Sequence, residues 1–560
     1  MARVAAIAID AAEWWYLQEL IDRGALPNLA RFKEQARSFQ LRTEVPYRSE
    51  LVWTRFLTGS DPIAANNWAT SGTFDPGTYG IGSNTASVEK PFFTFGEGTK
   101  VVALDLIHSV PVDNVDGVQV VAWGSHSPQW PRMSRPTGLM TEIDHRFGTN
   151  PVFGNDLDVG WHSPAYLEEL ARACAVGTSR RAEIAEWLLA NQPDWDLFLT
   201  CFSEFHSAGH HMWHGVDPRH PLHDTAPTSN LAAASLEETS RAVDDAVGRL
   251  VNLVGPHTHV VLFALHGFQP ADDVVATMLL PELAQQYHLG RRAGLLRAAK
   301  RPNWREAGCP PIIPDPTERI VSTYLIPRFA DSTKKRLRRS LSDLLPNEVF
   351  EVLLRVTGRA TPEPFEGFTS STPPETKSMN DDALLPLRGG LSYQAASWYQ
   401  RHWPRMPWFV LPSFGDGHVR INLRGRERDG LVDKADYGKA IHDVERFLGE
   451  CRDERTGAPI VADVLRMRER DPMDPLGADA DLLVIFEGAP DAVTHPATGT
   501  VGPFPHLRMA SHSTNGFAMI AGPGIAPGDG GVRPTVDLPS TLLSLLGKTI
   551  PTDIRGERLI

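Results

Sequence analysis

The segment FSEFHSAGHHMWH, residues 202–214, contains histidines at positions 206, 210, 211 and 214. His206 and His210 are four residues apart, so on a helix their imidazoles lie on one face in adjacent turns. Two imidazoles at this spacing can hold one divalent metal ion. The polar face of an ordinary surface helix can have the same spacing, so this segment alone leaves both interpretations open.

Groups suited to a metal site also occur at four distant positions, as expected when ligands come from several strand ends. They are Asp10, Ser49 in RSELVWTRFL, His266 in FALHGF and His512 in ASHSTNG. Taken singly, each has an ordinary explanation, because Asp and Ser cap helices and loop histidines find local hydrogen-bond partners. Their order along the chain is therefore more informative than any one of them.

Short apolar runs predict the strands that position these residues. VAAIAI, residues 4–9, precedes EWWYLQELIDRG, whose apolar spacing is helical. Similar runs alternate with helical patterns at 164–175, 180–190 and 236–253, and they occur at 100–104, 118–122, 196–202, 259–264, 481–486 and 517–521. This alternation predicts an α/β sandwich with a mostly parallel central sheet and helices on both faces. Asp10 and His266 directly follow strands, where α/β sheets gather their chemistry.

Residues 271–399 differ in composition from the rest of the chain. They include the basic segment KKRLRRSL at 334–341 and the Pro/Ser/Thr-rich segment at 361–378. We interpret them as an inserted cap on a core formed by residues 1–270 and 400–560. The basic segment is read as the solvated side of a helix, because the chain as a whole is acidic.

Composition limits the classes of function. The 560 residues carry a net charge of −13, which argues against a nucleic-acid binder or a membrane-surface protein. Cys174, Cys201, Cys309 and Cys451 form no CxxC pair, so we expect free thiols. The N-terminal apolar run is too short for a signal peptide, and no stretch approaches the roughly 18 apolar residues of a membrane span. We expect a cytoplasmic protein that acts on a small molecule.

The ordered motifs resemble those of the alkaline-phosphatase superfamily, in the branch of type I phosphodiesterases, nucleotide pyrophosphatases and predicted phosphohydrolase/phosphomutases. Each fragment is weakly specific, whereas their order is highly specific. The shared elements cover most of the chain: the opening strand with Asp10 and GALPNLARF at 24–32, Ser49 to Trp53 with LTG at 57–59, WDLF and the helix after it, HG at 266–267, residues 406–430, ASH…NGFAMIAGPGI and residues 536–559. The resemblance implies an alkaline-phosphatase-like fold.

In that superfamily two metal ions, commonly zinc, flank a Ser or Thr nucleophile that attacks phosphorus and is then released by water. The arrangement is needed because one ion lowers the pKa of the hydroxyl while the other polarises the phosphoryl oxygens. The resemblance implies that Ser49 is the nucleophile and also a metal ligand. It implies four further metal ligands, namely Asp10, His210, His266 and His512.

Two positions depart from the superfamily pattern. His206 stands where an Asp precedes the helix histidine by four residues, and Leu265 replaces the Asp of an Asp-His-Gly motif. We therefore expect one tightly bound ion on a neutral three-histidine site formed by His206, His210 and His512. Such a site suits Zn and also accepts Fe or Mn.

The remaining candidate ligands, Asp10, His266 and Ser49, form a weak second site, because few carboxylates offset the charge of a second ion. Glu204 is close enough in sequence to be a further ligand or to orient one of the histidines.

Arg48, Trp123, His126 and Arg424 are the candidate substrate-binding residues. Arg48 adjoins Ser49, and Trp123 and His126 in AWGSHSP could line a pocket, although aromatic residues more often fill a core. The guanidinium of Arg424, in RINLRGRERDG, matches phosphate or sulfate oxygens. The alternative for this segment is a structural ion-pair turn with Glu427.

The sequence therefore predicts an enzyme, a metal-dependent hydrolase or transferase of the phosphodiesterase/phosphatase type that acts on a phosphoester or related oxyanion ester. One alternative is a specialised biosynthetic or lyase-type enzyme that uses a single ion on the three-histidine site. Another is a catalytically lapsed binding protein. The joint presence of the matching residues argues against the last, and the two altered ligands argue against an unchanged two-metal mechanism. The sequence indicates neither the substrate nor an oligomeric state.

Overall fold

The strands of this protein form one large sheet and several small ones. The computed structural model describes residues 2–48, 51–63, 73–82, 90–125, 132–152, 164–271, 274–290, 395–468, 470–504, 506 and 508–560. The described strands are β1 (Arg3–Ile9), β2 (Arg37–Arg42), β3 (Thr73–Asp75), β4 (Gly80–Gly82), β5 (Gly96–Leu104), β6 (Val115–Val121), β7 (Met133–Arg135), β8 (Leu197–Phe202), β9 (Thr258–Ala264), β10 (Gly267–Pro270), β11 (Trp408–Leu411), β12 (Gly417–Ile421), β13 (Arg452–Asp453), β14 (Val461–Arg466), β15 (Leu482–Phe486), β16 (Val493–His495), β17 (Gly499–Val501), β18 (Ala510–Ser513), β19 (Asn515–Ala521) and β20 (Gly528–Pro534).

Most of the described helices lie between these strands in sequence, and the last follows β20. The described α-helices are α1 (Trp14–Asp22), α2 (Pro27–Gln35), α3 (Val52–Thr58), α4 (Leu139–Phe147), α5 (Pro164–Asn191), α6 (Glu204–Met212), α7 (Ser229–Val254), α8 (Leu280–Leu289), α9 (Ala395–Tyr399), α10 (Tyr437–Gly449) and α11 (Asp537–Leu545).

The large sheet has the strand order β20-β2-β19-β9-β1-β8-β5-β6-β7 within the described part of the chain. Strands β9, β1, β8, β5 and β6 run parallel to one another, and β20 runs parallel to β2. Strand β19 is antiparallel to both its neighbours, and β7 is antiparallel to β6. The predicted α/β fold with a mostly parallel central sheet is confirmed.

Both faces of this sheet are covered, which explains its continuous apolar strands. In β1 the odd-numbered residues pack into one hydrophobic core and the even-numbered residues into another. The first core includes apolar residues of α1, α2, α5, α6 and α7, and the second includes those of α3 and α11. Helices therefore lie on both faces, as the sequence predicts.

One apolar run lies in a different sheet from the one predicted. Residues 481–486 were expected in the mostly parallel sheet, but β15 lies in a four-stranded antiparallel sheet of order β11-β12-β15-β14. Its Leu482 and Leu483 are both buried, on opposite faces. An apolar run that is buried on both faces does not reveal which sheet it joins, and this is the physical reason for the error.

The predicted boundaries of core and cap remain a prediction. Residues 291–394 lie outside the described part of the chain, and the segments 334–341 and 361–378 lie there with them. The described helix α8 packs against β11, so the start of the predicted cap adjoins the second sheet.

Two smaller expectations concern thiols and membranes. Cys174, Cys201 and Cys451 are buried free thiols, while Cys309 lies outside the described residues. Among the described helices, none combines the length and the apolar character needed to cross a bilayer.

Candidate metal and active site

The carboxyl ends of three adjacent parallel strands bring the candidate ligands together. Strand β1 leads to Asp10, β8 leads into α6, and β9 is followed by His266. The register pairs Ile9 with Phe202, and the Asp10 amide donates to the Phe202 carbonyl at 3.0 Å. The residues that follow these strands therefore meet at one edge of the sheet, as parallel strands require.

His512 reaches the same edge on a separate two-stranded ladder. Strands β10 and β18 pair antiparallel, with Phe268 opposite His512. Because β10 begins directly after His266, the ladder places the two histidines side by side, with ring centroids 4.2 Å apart.

Asp10 fixes the orientation of His206. The His206 Nδ1 lies 2.5 Å from the Asp10 Oδ2, and the Asp10 Oδ1 accepts a hydrogen bond from the Trp53 indole at 2.8 Å. All three side chains are buried. An Nδ1–H that donates to a carboxylate leaves the Nε2 lone pair available, and this is the usual arrangement of a metal-ligating histidine.

His210 is oriented in the same way by a backbone carbonyl. Its Nδ1 lies 2.8 Å from the Ala510 oxygen, and its Nε2 lies 2.7 Å from the Nε2 of His206. Burial, with the positive charge of Arg508 as the next cause, holds the pKa of His210 well below its usual value. The imidazole is therefore neutral near neutral pH, which is the form that binds a metal.

The donor set fits a zinc-like ion. With both Nδ1 atoms engaged, the Nε2 lone pairs of His206 and His210 face each other, and a cation stabilises such an arrangement. The His512 Nε2 lies 3.3 Å from the His206 Nε2. With Zn–N bonds of about 2.0–2.1 Å, the donor nitrogens of a tetrahedral site lie roughly 3.3 Å apart. The His206–His512 separation matches this value, whereas the 2.7 Å between the Nε2 atoms of His206 and His210 is shorter. His206, His266 and His512 also each offer one atom within 4.8 Å of the others.

We refer to Asp10, His206, His210, His266 and His512 as the histidine cluster. The division into a tight site and a weak second site stays a prediction, and in this geometry the two expected ligand sets adjoin each other. Asp10 bonds to His206, and its Oδ1 lies 3.5 Å from the His266 Nε2. Asp10, expected in the weak second site, thus orients His206, expected in the tight site. The five residues form a single cluster.

Glu204 does not face the histidines as a ligand. Its carboxylate accepts hydrogen bonds from Arg181 at 2.9 and 3.1 Å and from Asn150 at 2.8 Å. Residues two apart on a helix point in nearly opposite directions, so Glu204 and His206 face different neighbours.

Arg181 is the centre of a buried ion network that the sequence reasoning missed. This residue of α5 pairs with Asp105, just after β5, at 2.6 Å and with Glu204, the first residue of α6, at 2.9 Å. All three side chains are fully buried. The network fixes the first turn of the helix that carries His206 and His210.

The candidate substrate residues are dispersed. Trp123 is buried, and the Arg181 guanidinium lies 5.4 Å from the centroid of the Trp123 ring. The Trp123 indole donates a hydrogen bond to the Gly148 carbonyl at 3.1 Å. It therefore belongs to the core and does not line a pocket at the cluster. Ser49 and His126 lie outside the described residues.

The arginines of residues 418–430 form ion pairs with nearby carboxylates, which is the alternative that the sequence analysis gave for this segment. Arg420 and Arg426 both pair with Glu427, at 2.7 and 2.9 Å. Arg424 is exposed and pairs with Asp433 at 3.0 Å. This turn follows a strand of the second sheet, and the structure does not bring Arg424 into the histidine cluster.

Glu13 is a second residue that the sequence reasoning missed. Its buried carboxyl accepts hydrogen bonds from Ser513 at 2.7 Å and from Asn515 at 3.4 Å. A Cβ at Gly267 would lie 2.3 Å from the Glu13 Oε2, so the glycine after His266 is required by this close approach. Glu13 therefore ties the start of α1 to both strands of the β10–β18 ladder. The HG pair at 266–267 is the one signal of this contact in the sequence.

We expect Glu13 to make folding stability fall as the pH rises. Burial raises the pKa of Glu13 from its ordinary 4.5 to about 7. At Glu13 the folded state therefore binds more protons than the unfolded state between these values, so the contribution of Glu13 to the free energy of unfolding decreases as pH rises through this window. The loss is on the order of 3 kcal/mol, since one pKa unit corresponds to about 1.4 kcal/mol.

Urea unfolding of the metal-free protein at about pH 5 and about pH 8 measures this loss. Buried histidines with lowered pKa values, such as His214 and His418, make stability rise over the same range, so the effect of Glu13 is read from the difference between variants. From pH 5 to pH 8, Glu13→Gln should gain about 2–3 kcal/mol of stability relative to wild type, whereas Glu168→Gln, at an exposed position of α5, should follow wild type. An unchanged pH dependence in Glu13→Gln would show that another group is responsible.

The fold and the site together define an α/β protein with a histidine-rich cluster at the carboxyl edge of a mostly parallel sheet. Neither a protein-family model nor a curated protein sequence matches this chain. Solved structures similar to it over nearly the whole chain include murine ectonucleotide pyrophosphatase/phosphodiesterase 5 in complex with AMP. That match has 8% identity and a TM-score of 0.46, and it covers 98% of this chain and 96% of the other.

The human form of that protein has 9% identity and a TM-score of 0.46, with 99% and 97% of the two chains covered. Phosphonoacetate hydrolase from Sinorhizobium meliloti, in complex with phosphonoformate, has 12% identity and a TM-score of 0.43, with 97% and 96% covered. These are proteins to which this chain is similar, and its chemistry rests on its own residues.

Proposed function

We propose that this protein hydrolyses or transfers a phosphoester or related oxyanion ester, with one divalent ion on His206, His210 and His512 and with Ser49 as the nucleophile. The observation that carries the proposal is that the His206 Nε2 lies 2.7 Å from the His210 Nε2 and 3.3 Å from the His512 Nε2. Such a donor set suits zinc, with iron or manganese as substitutes. When bound, the ion would polarise a phosphoryl oxygen and lower the pKa of a hydroxyl.

The surroundings of Ser49 support its assignment. Trp53, four residues later, donates its indole N–H to Asp10, which in turn orients His206. Arg48, the residue before Ser49, has its Nη1 3.4 Å from the Gln269 side chain on β10. Both described neighbours of Ser49 in the motif thus contact the cluster or the strand that follows His266.

The reaction proposed for Ser49 has two steps. Its Oγ loses a proton and bonds to phosphorus as the P–O bond to the leaving alcohol breaks, and the alcohol takes up a proton. Water then releases the phosphoryl group and restores the hydroxyl.

We expect about one tightly held ion per chain, measured by inductively coupled plasma mass spectrometry after gel filtration. His210→Ala should lose the ion, because it removes one of three neutral ligands. His266→Ala should retain it, and His442→Ala, at an exposed position of α10, serves as the matched control.

Other ion contents in these two variants would change the proposed set of metal ligands. Loss of the ion in His266→Ala but not in His210→Ala would favour the set His206, His266 and His512. Two ions of equal occupancy would show that the change at Leu265 is compensated by another ligand.

The activity test uses p-nitrophenyl phosphate and bis(p-nitrophenyl) phosphate with zinc-loaded protein. Turnover should disappear on chelation, return on addition of zinc and be absent from His210→Ala. If wild-type protein with a bound ion hydrolyses neither ester, the proposed function is wrong and the binding-protein alternative gains support.

A further inference from the structure

A turn of the second sheet contacts Arg48 and Arg508, and Arg508 in turn contacts the histidine cluster. Residues 412–416, PSFGD, join β11 to β12. The Ser413 hydroxyl donates to the Asp416 carbonyl at 2.6 Å, and the Asp416 amide donates to the Phe414 carbonyl at 3.0 Å. Gly415 has a φ of 80°, a conformation that favours glycine. The turn is therefore held in one shape by its own hydrogen bonds.

This turn fixes the guanidinium of Arg48. The Asp416 carboxylate accepts from Arg48 Nη2 at 2.5 Å and from its Nε at 3.2 Å. Both side chains are only 5% exposed. A bidentate pair of this kind holds both partners in a single geometry. Arg48 therefore joins the second sheet to the segment that contains Ser49.

Arg508 contacts another residue of the same turn, Phe414. Its Nη1 is 3.4 Å from the Nε2 of His210, and its guanidinium lies 5.8 Å from the centroid of the Phe414 ring. Arg508, Phe414 and His512 are partly exposed, whereas His206, His210 and His266 are buried. The solvent-facing side of the cluster is thus formed in part by a cation that rests against an aromatic ring.

We propose that Arg508 contacts the phosphoryl oxygens of the substrate and favours a phosphoryl group with two negative charges, as in a phosphomonoester, over one with a single charge, as in a phosphodiester. This inference rests on the proposed function, because it places the phosphoryl group beside the His210 Nε2. An oxygen bound there lies close to a guanidinium that is 3.4 Å from the same nitrogen.

The preference follows from charge and shape. A planar guanidinium can bond two oxygens of one oxyanion, and its attraction increases with the charge on that oxyanion. The Phe414 ring limits the positions of the guanidinium through a cation–π contact. Phe414 is therefore a positioning residue that acts through Arg508.

Calorimetric titration of the zinc-loaded protein tests this proposal without requiring turnover. Inorganic phosphate at mildly alkaline pH is the dianionic probe, and dimethyl phosphate is the monoanionic probe. Arg508→Ala should weaken phosphate binding by about 10- to 100-fold, the effect of a lost charged hydrogen bond, with a clearly smaller factor for dimethyl phosphate. Phe414→Leu should change both affinities in the same direction but less.

Two controls accompany these titrations. Arg508→Ala should keep the zinc content of wild type, and Arg446→Ala, at an exposed arginine of α10, should bind both anions as wild type does. Equal phosphate affinity in wild type and Arg508→Ala would overturn the proposal, as would an equal loss for the two anions or no phosphate binding by zinc-loaded wild type.

Turnover of p-nitrophenyl phosphate and methyl p-nitrophenyl phosphate, which share a leaving group, separates this inference from the proposed function. A preference for the first ester that falls in Arg508→Ala would support both. If wild type binds phosphate selectively but turns over neither ester, the proposed hydrolase activity is wrong while the role of Arg508 stands.

Discussion

Replacing Ser49 with alanine should lower the turnover of phosphoester substrates by roughly four to six orders of magnitude, as removal of a covalent nucleophile does in other enzymes. The assignment rests on the motif from Ser49 to Trp53 and on the contact of Trp53 with Asp10. The bound ion and the fold should be unaffected, because the proposed ion is held by three histidines. The measurement is kcat with p-nitrophenyl phosphate on protein of verified zinc content.

Ser60→Ala is the matched control, since Ser60 follows the same helix and bonds to Thr58. It should retain wild-type kcat. If Ser49→Ala also retains near wild-type kcat with the ion bound, the nucleophile assignment is wrong. The single-ion alternative, in which the ion activates water or the substrate directly, would then replace it.

Arg181→Met should destabilise the protein by about 3–5 kcal/mol, the usual effect of removing one partner from a buried ion pair. The substitution leaves the carboxylates of Asp105 and Glu204 buried without their cation. Urea unfolding monitored by circular dichroism measures the change. Arg180→Met, at the preceding and partly exposed position, should have a much smaller effect.

A variant that fails to fold can still be interpreted. Adding Asp105→Asn and Glu204→Gln to Arg181→Met removes the buried charges, so the triple variant should recover part of the lost stability. A destabilisation below about 1 kcal/mol in Arg181→Met would show that the carboxylates find other partners or take up protons at little cost.

The central sheet could be predicted from the sequence because its strands are short apolar runs separated by helical patterns. An apolar run did not identify the correct sheet for residues 481–486, because strands of the large sheet and of the four-stranded sheet are both buried on two faces. The direction of β19 could not be predicted from its apolar sequence either, and this strand runs antiparallel to both its neighbours in the large sheet.

The histidine cluster was predictable in part. The spacing of His206 and His210 indicated a shared helix face, whereas Asp10, His266 and His512 were found through motif order. The shared site of His206, His210 and His512 was expected from the resemblance, whereas the hydrogen bond between Asp10 and His206 was not, since no local period encodes it.

The buried charges illustrate this limit. Arg181 and Asp105 are 76 residues apart, and Glu13 and Ser513 are 500 residues apart. Such pairs depend on the completed fold, and neither composition nor spacing identifies which charged residues will be buried.

The position of β18 has a consequence for the order of events during synthesis. His206 and His512 are 306 residues apart, yet their Nε2 atoms lie 3.3 Å from each other. A nascent chain that has reached only α6 can present His206 and His210, but the third imidazole emerges from the ribosome much later. An ion bound by all three closes this long loop, and the entropy of closure grows only slowly with loop length. Tight binding of the ion would therefore require that the β10–β18 ladder has already formed. A ribosome-stalled fragment that ends before His512 would offer the ion only His206 and His210 and would bind it weakly.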